Sequence, residues 1–259
     1  MSKLQLTAAA QTNSGKNLTK NEDSFLLGNT AVYARNEASA TVENACECLL
    51  LVCDGIGGEQ AGNIASATAV RFFQKNRELL LKKLSDAWLN KAVLKANEWV
   101  CRRAADLGKS MGSTLALVAF KAGKWMVTNV GDSRVYLYRD GVLKQLSKDH
   151  TGAQSLVDMG VVSAEKAKGM PESHVLTQHL GIEPGEMLIE PYFVQQQAKA
   201  GDICLICSDG LYDMLETEEI QAVLQSNVST EQMSKALTEA ALQHGGKDNI
   251  TVIVGKVIQ

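Results

Sequence analysis

The dipeptide Asp140-Gly141, set between the runs Arg134–Tyr138 and Leu143–Leu146, constrains the fold more than any other feature of the chain. Asp-Gly supplies the two positive-φ residues of a tight hairpin turn, which argues that the flanking strands pair antiparallel. Lys121-Ala-Gly-Lys124 offers a second close turn, between Ser113–Lys121 and Trp125–Val130. Further short runs of strand character lie at Leu4–Ala10, Ser24–Leu27, Cys48–Cys53, Leu188–Val194, Ile203–Cys207 and Ile250–Val257.

Helical periodicity is confined to two blocks. The first holds Ala61–Lys75 and Ser85–Ala105, where Leu89, Ala92, Val93, Ala96 and Val100 share one face. Ser85 is a fitting N-cap and Gly108 a fitting stop. The second holds Thr217–Leu224 and Thr230–Gln243, ended by Gly245-Gly246. Two helices after an early strand pair, many antiparallel strands and two late helices predict helix–sheet–sheet–helix layering. With 259 residues, 45% hydrophobic, only three prolines and no Pro/Gly/Ser-rich divider, residues 1–259 are expected to form a single domain.

A net charge of −3 supports no nucleic-acid role. No apolar run is long enough to span a membrane. Met1–Ala10 lacks the apolar stretch of a signal peptide, so a cytoplasmic location is expected. Cys204-Leu-Ile-Cys207 has CxxC spacing, but in a strand the two thiols would face opposite sides, and no second Cys or His pair accompanies them. These cysteines are expected to be structural.

Acidic residues at the ends of apolar strands carry the chemistry. Asn21-Glu-Asp23-Ser24, Val52-Cys-Asp54-Gly55, Val130-Gly-Asp132-Ser133 and Cys207-Ser-Asp209-Gly210 share this form, and Lys247-Asp248-Asn249 leads into the last strand. Each alone reads equally as turn chemistry. Converging together, ionised carboxylates would repel one another without cations. Such oxygen-rich sets suit Mg2+ or Mn2+ rather than zinc.

These segments, with Asp54-Gly-Ile-Gly-Gly58, Met111-Gly-Ser-Thr114, Asn129-Val-Gly-Asp-Ser-Arg134, Leu176-Thr-Gln-His-Leu-Gly181, Ser208-Asp-Gly-Leu211 and Asp248-Asn-Ile-Thr251, occur in one order along nearly the whole chain. That set resembles the type 2C metal-dependent serine/threonine protein phosphatases in their compact bacterial form. The resemblance implies an α+β, four-layer sandwich of two antiparallel β-sheets flanked by pairs of antiparallel helices. It also implies two Mg2+ or Mn2+ ions per site, with a possible third. Asp54 would bridge two metals, with Asp209 and Asp248 completing one and Glu22 and the Gly55 carbonyl the other. Asp132 would share the third with Asp209, Asp23 would orient metal waters, and Asn249 would steady the neighbouring loop. Gly55, Gly57 and Gly58 suit a loop whose backbone approaches the ions.

The implied reaction is hydrolysis of phosphoserine and phosphothreonine in proteins by a hydroxide between the metals, without a phosphoenzyme, opposing a Ser/Thr kinase. Asp54 and Asp209 are the expected catalytic pair, phosphorylated proteins the partners and a monomer the expected state. No phosphate-cradling Cys-x5-Arg loop points to a cysteine mechanism. Relatives carry a phosphate-gripping Arg four residues before the motif Glu; here that position is Leu18, leaving Lys16 or Lys20 as substitutes or as solvated loop lysines. A His found after the Asp-Gly pair in animal relatives is Ile56 here, and His150 is a weaker acid candidate than a structural His. Residues 149–173 match a flap bordering the site, expected to be a mobile, substrate-facing segment. A phosphate-binding pseudoenzyme and a hydrolase of small phosphorylated molecules are the competing readings.

Overall fold

The computed structural model describes residues 4–57 and 61–259. Along the chain come β1 (Gln5–Asn13), β2 (Ser24–Leu27), β3 (Thr30–Tyr33), β4 (Glu37–Ala45), β5 (Glu47–Cys53) and β6 (Gly55–Ile56). Two long helices follow, α1 (Gly62–Lys82) and α2 (Asp86–Leu107). Next are β7 (Gly112–Ser113), β8 (Leu115–Lys121), β9 (Lys124–Val130), β10 (Arg134–Arg139) and β11 (Val142–Gln145). The short helices α3 (Gly152–Asp158) and α4 (Ala164–Ala167) and a 3-10 turn (Pro171–His174) precede β12 (Tyr192–Gln197) and β13 (Ile203–Cys207). Last are α5 (Asp209–Tyr212), α6 (Thr217–Gln225), α7 (Thr230–Gln243) and β14 (Ile250–Ile258).

Two six-stranded antiparallel sheets form, in the orders β11-β10-β13-β14-β1-β4 and β12-β9-β8-β5-β2-β3. Their central strands are apolar on both faces, and the period of two sends alternate residues into different cores. In β5, Cys48, Leu50 and Val52 enter the core between the sheets, whereas Leu49, Leu51 and Cys53 meet α1 and α2. In β14, Ile253 and Val257 enter the same central core, whereas Ile250, Val252 and Val254 meet α7. Helix pair, sheet, sheet and helices are therefore the four layers the sequence predicts. Cys204 and Cys207 behave as expected: Cys204 faces the other sheet and Cys207 faces the helices.

Local chemistry sets the boundaries. The Ser85 hydroxyl accepts from the Trp88 N–H at 3.3 Å to start α2, and Gly108 ends it at φ 60°. Asp140 and Gly141 both take positive φ, at 51° and 82°, as the hairpin requires. Several parts differ from expectation. The strand expected at Leu188–Val194 is displaced, running from Tyr192 to Gln197, and Leu188 is 67% exposed. β3 and β4 escape the apolar pattern because each is an edge strand, and β4 alternates only weakly in burial. The 149–173 segment is locally folded, with the Thr151 and Ser163 hydroxyls capping α3 and α4.

One polar cluster ties the sheets together. Asp202, 2% exposed, accepts from Arg139 Nε at 2.7 Å, Arg139 Nη2 at 2.6 Å, Trp125 Nε1 at 3.2 Å and its own loop's Lys199 N–H at 2.8 Å. Trp125 belongs to one sheet and Arg139 to the other. Removing the carboxylate strands four donors, two of them on the Arg139 cation, so Asp202→Ala is expected to destabilise the fold by about 3 kcal/mol. A urea midpoint that falls with m unchanged checks it.

Candidate metal centre

Each candidate acid stands where a central strand begins or ends. Asp54 directly follows β5, Asp209 opens α5 just after β13, Asp132 lies between β9 and β10, and Glu22 and Asp23 precede β2. Asp248 leads into β14. The structure brings Glu22, Asp54, Gly55, Asp132, Asp209 and Asp248 onto the wall of one cavity of about 450 Å³. Segments up to 226 residues apart are thus gathered at one rim of the sandwich.

Neutral side chains hold those loops in place. The Asn249 carboxamide accepts from the Glu22 N–H at 2.7 Å and donates to the Ser14 and Lys20 carbonyls at 3.0 and 3.1 Å. Asn249 therefore ties the Glu22 loop to the segment Ser14–Lys20. Asp54 is pinned at both backbone atoms by Thr114: its N–H donates to the Thr114 hydroxyl at 2.9 Å, and its carbonyl accepts from the Thr114 N–H at 2.8 Å. The Ser208 hydroxyl donates to Asp23 Oδ2 at 2.8 Å and accepts from the Thr251 N–H at 3.0 Å.

Electrostatics turn this arrangement into a cation trap. Burial first, and then the charges of Asp23, Asp209, Asp132 and Asp248, hold the Asp54 carboxyl well above the usual carboxylate range. Burial and then Asp132, Asp248 and Asp213 do the same to Asp209. Burial pushes Asp23 up to about 7 and Asp132 up to about 6, and it also raises Glu22. Asp23 Oδ1 and Asp209 Oδ1 are buried without a hydrogen-bond partner. Several acids that face one another, two of them with an unpartnered oxygen, and no Lys or Arg among the described residues of the cavity wall make a donor set for hard divalent cations. The residues present fit Mg2+ or Mn2+.

Glycine makes the approach possible at two positions. A Cβ on Gly55 would lie 2.2 Å from the Gly62 carbonyl oxygen and 2.7 Å from that of Glu22. A Cβ on Gly62 would lie 2.8 Å from Glu22 Oε2. The first turn of α1 is thereby seated against the acidic loop. Gly57 lines the cavity as well, whereas Gly58 lies outside the described residues.

Other sequence candidates fall elsewhere. Lys16, Leu18 and Lys20 are exposed and none lines the cavity, while Ile56 does. His150 is packed inward: its N–H donates to the Gly131 carbonyl at 3.0 Å, and its Nδ1 accepts from the Gly131 N–H at 3.3 Å. Burial lowers its pKa, in keeping with a structural His. His174 and His179, which the sequence does not mark out, both reach the cavity wall. The signal available for His179 was its place inside the motif at 176–181; His174 had none beyond adjoining the flap.

A family model described as Protein phosphatase 2C matches residues 13–156. Serine/threonine phosphatase stp of Listeria monocytogenes is 33% identical over 213 residues, spanning 80% of this chain and 83% of that protein. The crystal structure of the Mycobacterium tuberculosis serine/threonine phosphatase PstP/Ppp superposes with a TM-score of 0.81 at 33% identity, covering 98% of this chain and 100% of that one. The catalytic domain of PstP in complex with two manganese ions superposes at 0.79 with 32% identity, covering 99% and 100%. Fold, motif order and these likenesses agree, and the chain belongs to the protein phosphatase 2C family of Mg2+- or Mn2+-dependent protein phosphatases.

Proposed function

We propose that this protein hydrolyses phosphoserine and phosphothreonine in phosphorylated proteins, opposing a Ser/Thr kinase, by direct attack of water without a phosphoenzyme. The observation that carries this is the gathering of Glu22, Asp54, Asp132, Asp209 and Asp248 on one cavity wall. The relatives' names, which describe serine/threonine phosphatases, support the choice of substrate class. In this reading residues 1–259 act as one monomeric catalytic unit with the flap at 149–173. No helix among the described residues is long and apolar enough to cross a membrane.

Two divalent ions in this cavity would lower the pKa of water and offset charge on the phosphoryl oxygens. Asp54, locked by Thr114, would serve both ions; Asp209 and Asp248 would complete the set of one, and Glu22 with the Gly55 carbonyl that of the other. Asp132 and Asp209 would hold a third. Asp23 presents its free Oδ1 beside them, held in place by Ser208, where it can accept a hydrogen bond from water. With no Lys or Arg among the described residues of the wall, charge on the substrate would be met by cations rather than by a guanidinium fork. Cysteine chemistry has no support here, since burial raises the thiol pKa of Cys48, Cys53, Cys204 and Cys207. The complete carboxylate set also argues against a protein that only binds phosphate.

Asp54→Ala and Asp209→Ala are each expected to reduce Mn2+-dependent hydrolysis of p-nitrophenyl phosphate to background, and wild-type turnover in either would refute the assignment. With Mn2+, phosphothreonine peptides are expected to be turned over faster than nucleotides or sugar phosphates; the reverse order would identify a small-molecule hydrolase.

Crowded carboxylates also cost stability when no ion balances them. The metal-free Asp54→Asn variant is therefore expected to melt above the metal-free wild type. Mn2+ at about a hundred times its Kd should raise the wild-type melting temperature by roughly 5–10 °C. The variant should gain much less, as differential scanning fluorimetry would show.

A further inference from the structure

We propose that His179 gives the departing serine or threonine oxygen its proton, which makes it a further catalytic residue of this protein. The inference rests on the phosphatase reading of the acidic cavity, because that reaction is what releases an alkoxide there.

The backbone fixes where this imidazole stands. β6 and β7 pair with Gly55 opposite Ser113 and Ile56 opposite Gly112. On the far side of β7, the Ser113 N–H donates to the Leu180 carbonyl at 2.9 Å, and the Leu180 N–H donates to the Ser113 carbonyl at 2.8 Å. The Gly181 N–H donates to the Asn97 side-chain oxygen of α2 at 2.6 Å. Residues 179–181 thus run as a third, pinned line of chain, one strand removed from β6.

The ring is seated on bare backbone. A Cβ on Gly112 would lie 2.5 Å from His179 Nδ1 and 2.9 Å from its Cε1, so the imidazole fills the space that a side chain at 112 would take. His179 Nδ1 is 3.0 Å from the Leu180 carbonyl oxygen, which can only accept, so this nitrogen carries a proton. Nε2 is left as the exchanging nitrogen, and no hydrogen bond engages it among the described residues.

Its place on the wall suits a proton donor. His179 lines both the acidic cavity and a hollow of about 400 Å³ beside it, formed with Lys109, Ser110 and Met111. A cavity of about 450 Å³ has room for a phosphoryl group but none for the folded protein that carries it. The ester oxygen then lies at the rim, the level at which His179 stands. His174, the other imidazole of the described wall, is 60% exposed and stands 3.7 Å from Asp213 Oδ2.

Serine and threonine alkoxides are strong bases and leave slowly without a proton. In the step, a P–O bond to the water oxygen forms while the P–O bond to the side-chain oxygen breaks. The leaving oxygen's electron pair takes the Nε2 proton of the imidazolium, and the neutral ring keeps its Nδ1–H on Leu180. A proton equivalent to the one shed by the attacking water restores the imidazolium through solvent.

Leaving-group chemistry separates this role from packing alone, because p-nitrophenolate departs without a proton. With Mn2+, His179→Gln is expected to lose roughly 100-fold in kcat on a phosphothreonine peptide, with KM little changed, and only a few-fold on p-nitrophenyl phosphate. Its amide keeps a donor for the Leu180 carbonyl. Wild-type log kcat across alkyl and phenyl phosphates is expected to be nearly independent of leaving-group basicity. A steep decline in wild type would overturn the role without any variant. Equal losses on both substrates, or a wild-type peptide rate in His179→Gln, would also overturn it and leave the phosphatase reading standing. A wild type that cleaves p-nitrophenyl phosphate but no phosphopeptide would overturn both.

Discussion

Mutual repulsion among buried carboxylates is the constraint around which the rest of this molecule is arranged. Asp54 and Asp209 are held near one another and near Asp23, Asp132 and Asp248 although burial and charge both disfavour ionisation. A cluster of this kind cannot hold itself together, so the restraint has to come from groups that carry no charge. Asn249, Thr114 and Ser208 supply it by tying backbone to backbone across distant segments. The energy stored in the crowded anions is what makes a divalent cation welcome.

The sandwich provides the rigidity that such crowding demands. Strands buried on both faces cannot slip by one residue without exchanging the contents of two cores. Asp54 and Asp209 sit at the ends of β5 and β13, whose last five residues are all buried, so their positions inherit that precision. Gly55 and Gly62 then let a helix come within contact of the acidic loop. The segment 149–173, by contrast, is built from short capped turns.

Much of this was legible in the chain because the signals are local. Alternation, tight turns and the Ser85 and Gly108 caps mark elements through their own residues, and the acidic strand ends stand out by composition. Edge strands such as β4 are half solvated and carry no apolar pattern, so they were missed. The start of β12 was misplaced because Met187 and Leu188 are exposed apolar residues whose character imitates a buried run. His174 and Asp213 could not be paired from the sequence, since 39 residues separate them and only the folded flap brings them close.

The pairing of β1 with β14 has a kinetic consequence. Gln5 lies opposite Ile258, and β14 occupies an interior place between β13 and β1. On a ribosome, the sheet would stay open through its middle until almost all of this chain had emerged. Until then β1 and β13 would each present an unsatisfied edge, inviting association with other nascent chains. Asp248, in the loop just before β14, would reach the anionic cluster only with that final closure, so the acidic cavity is completed at the end of folding.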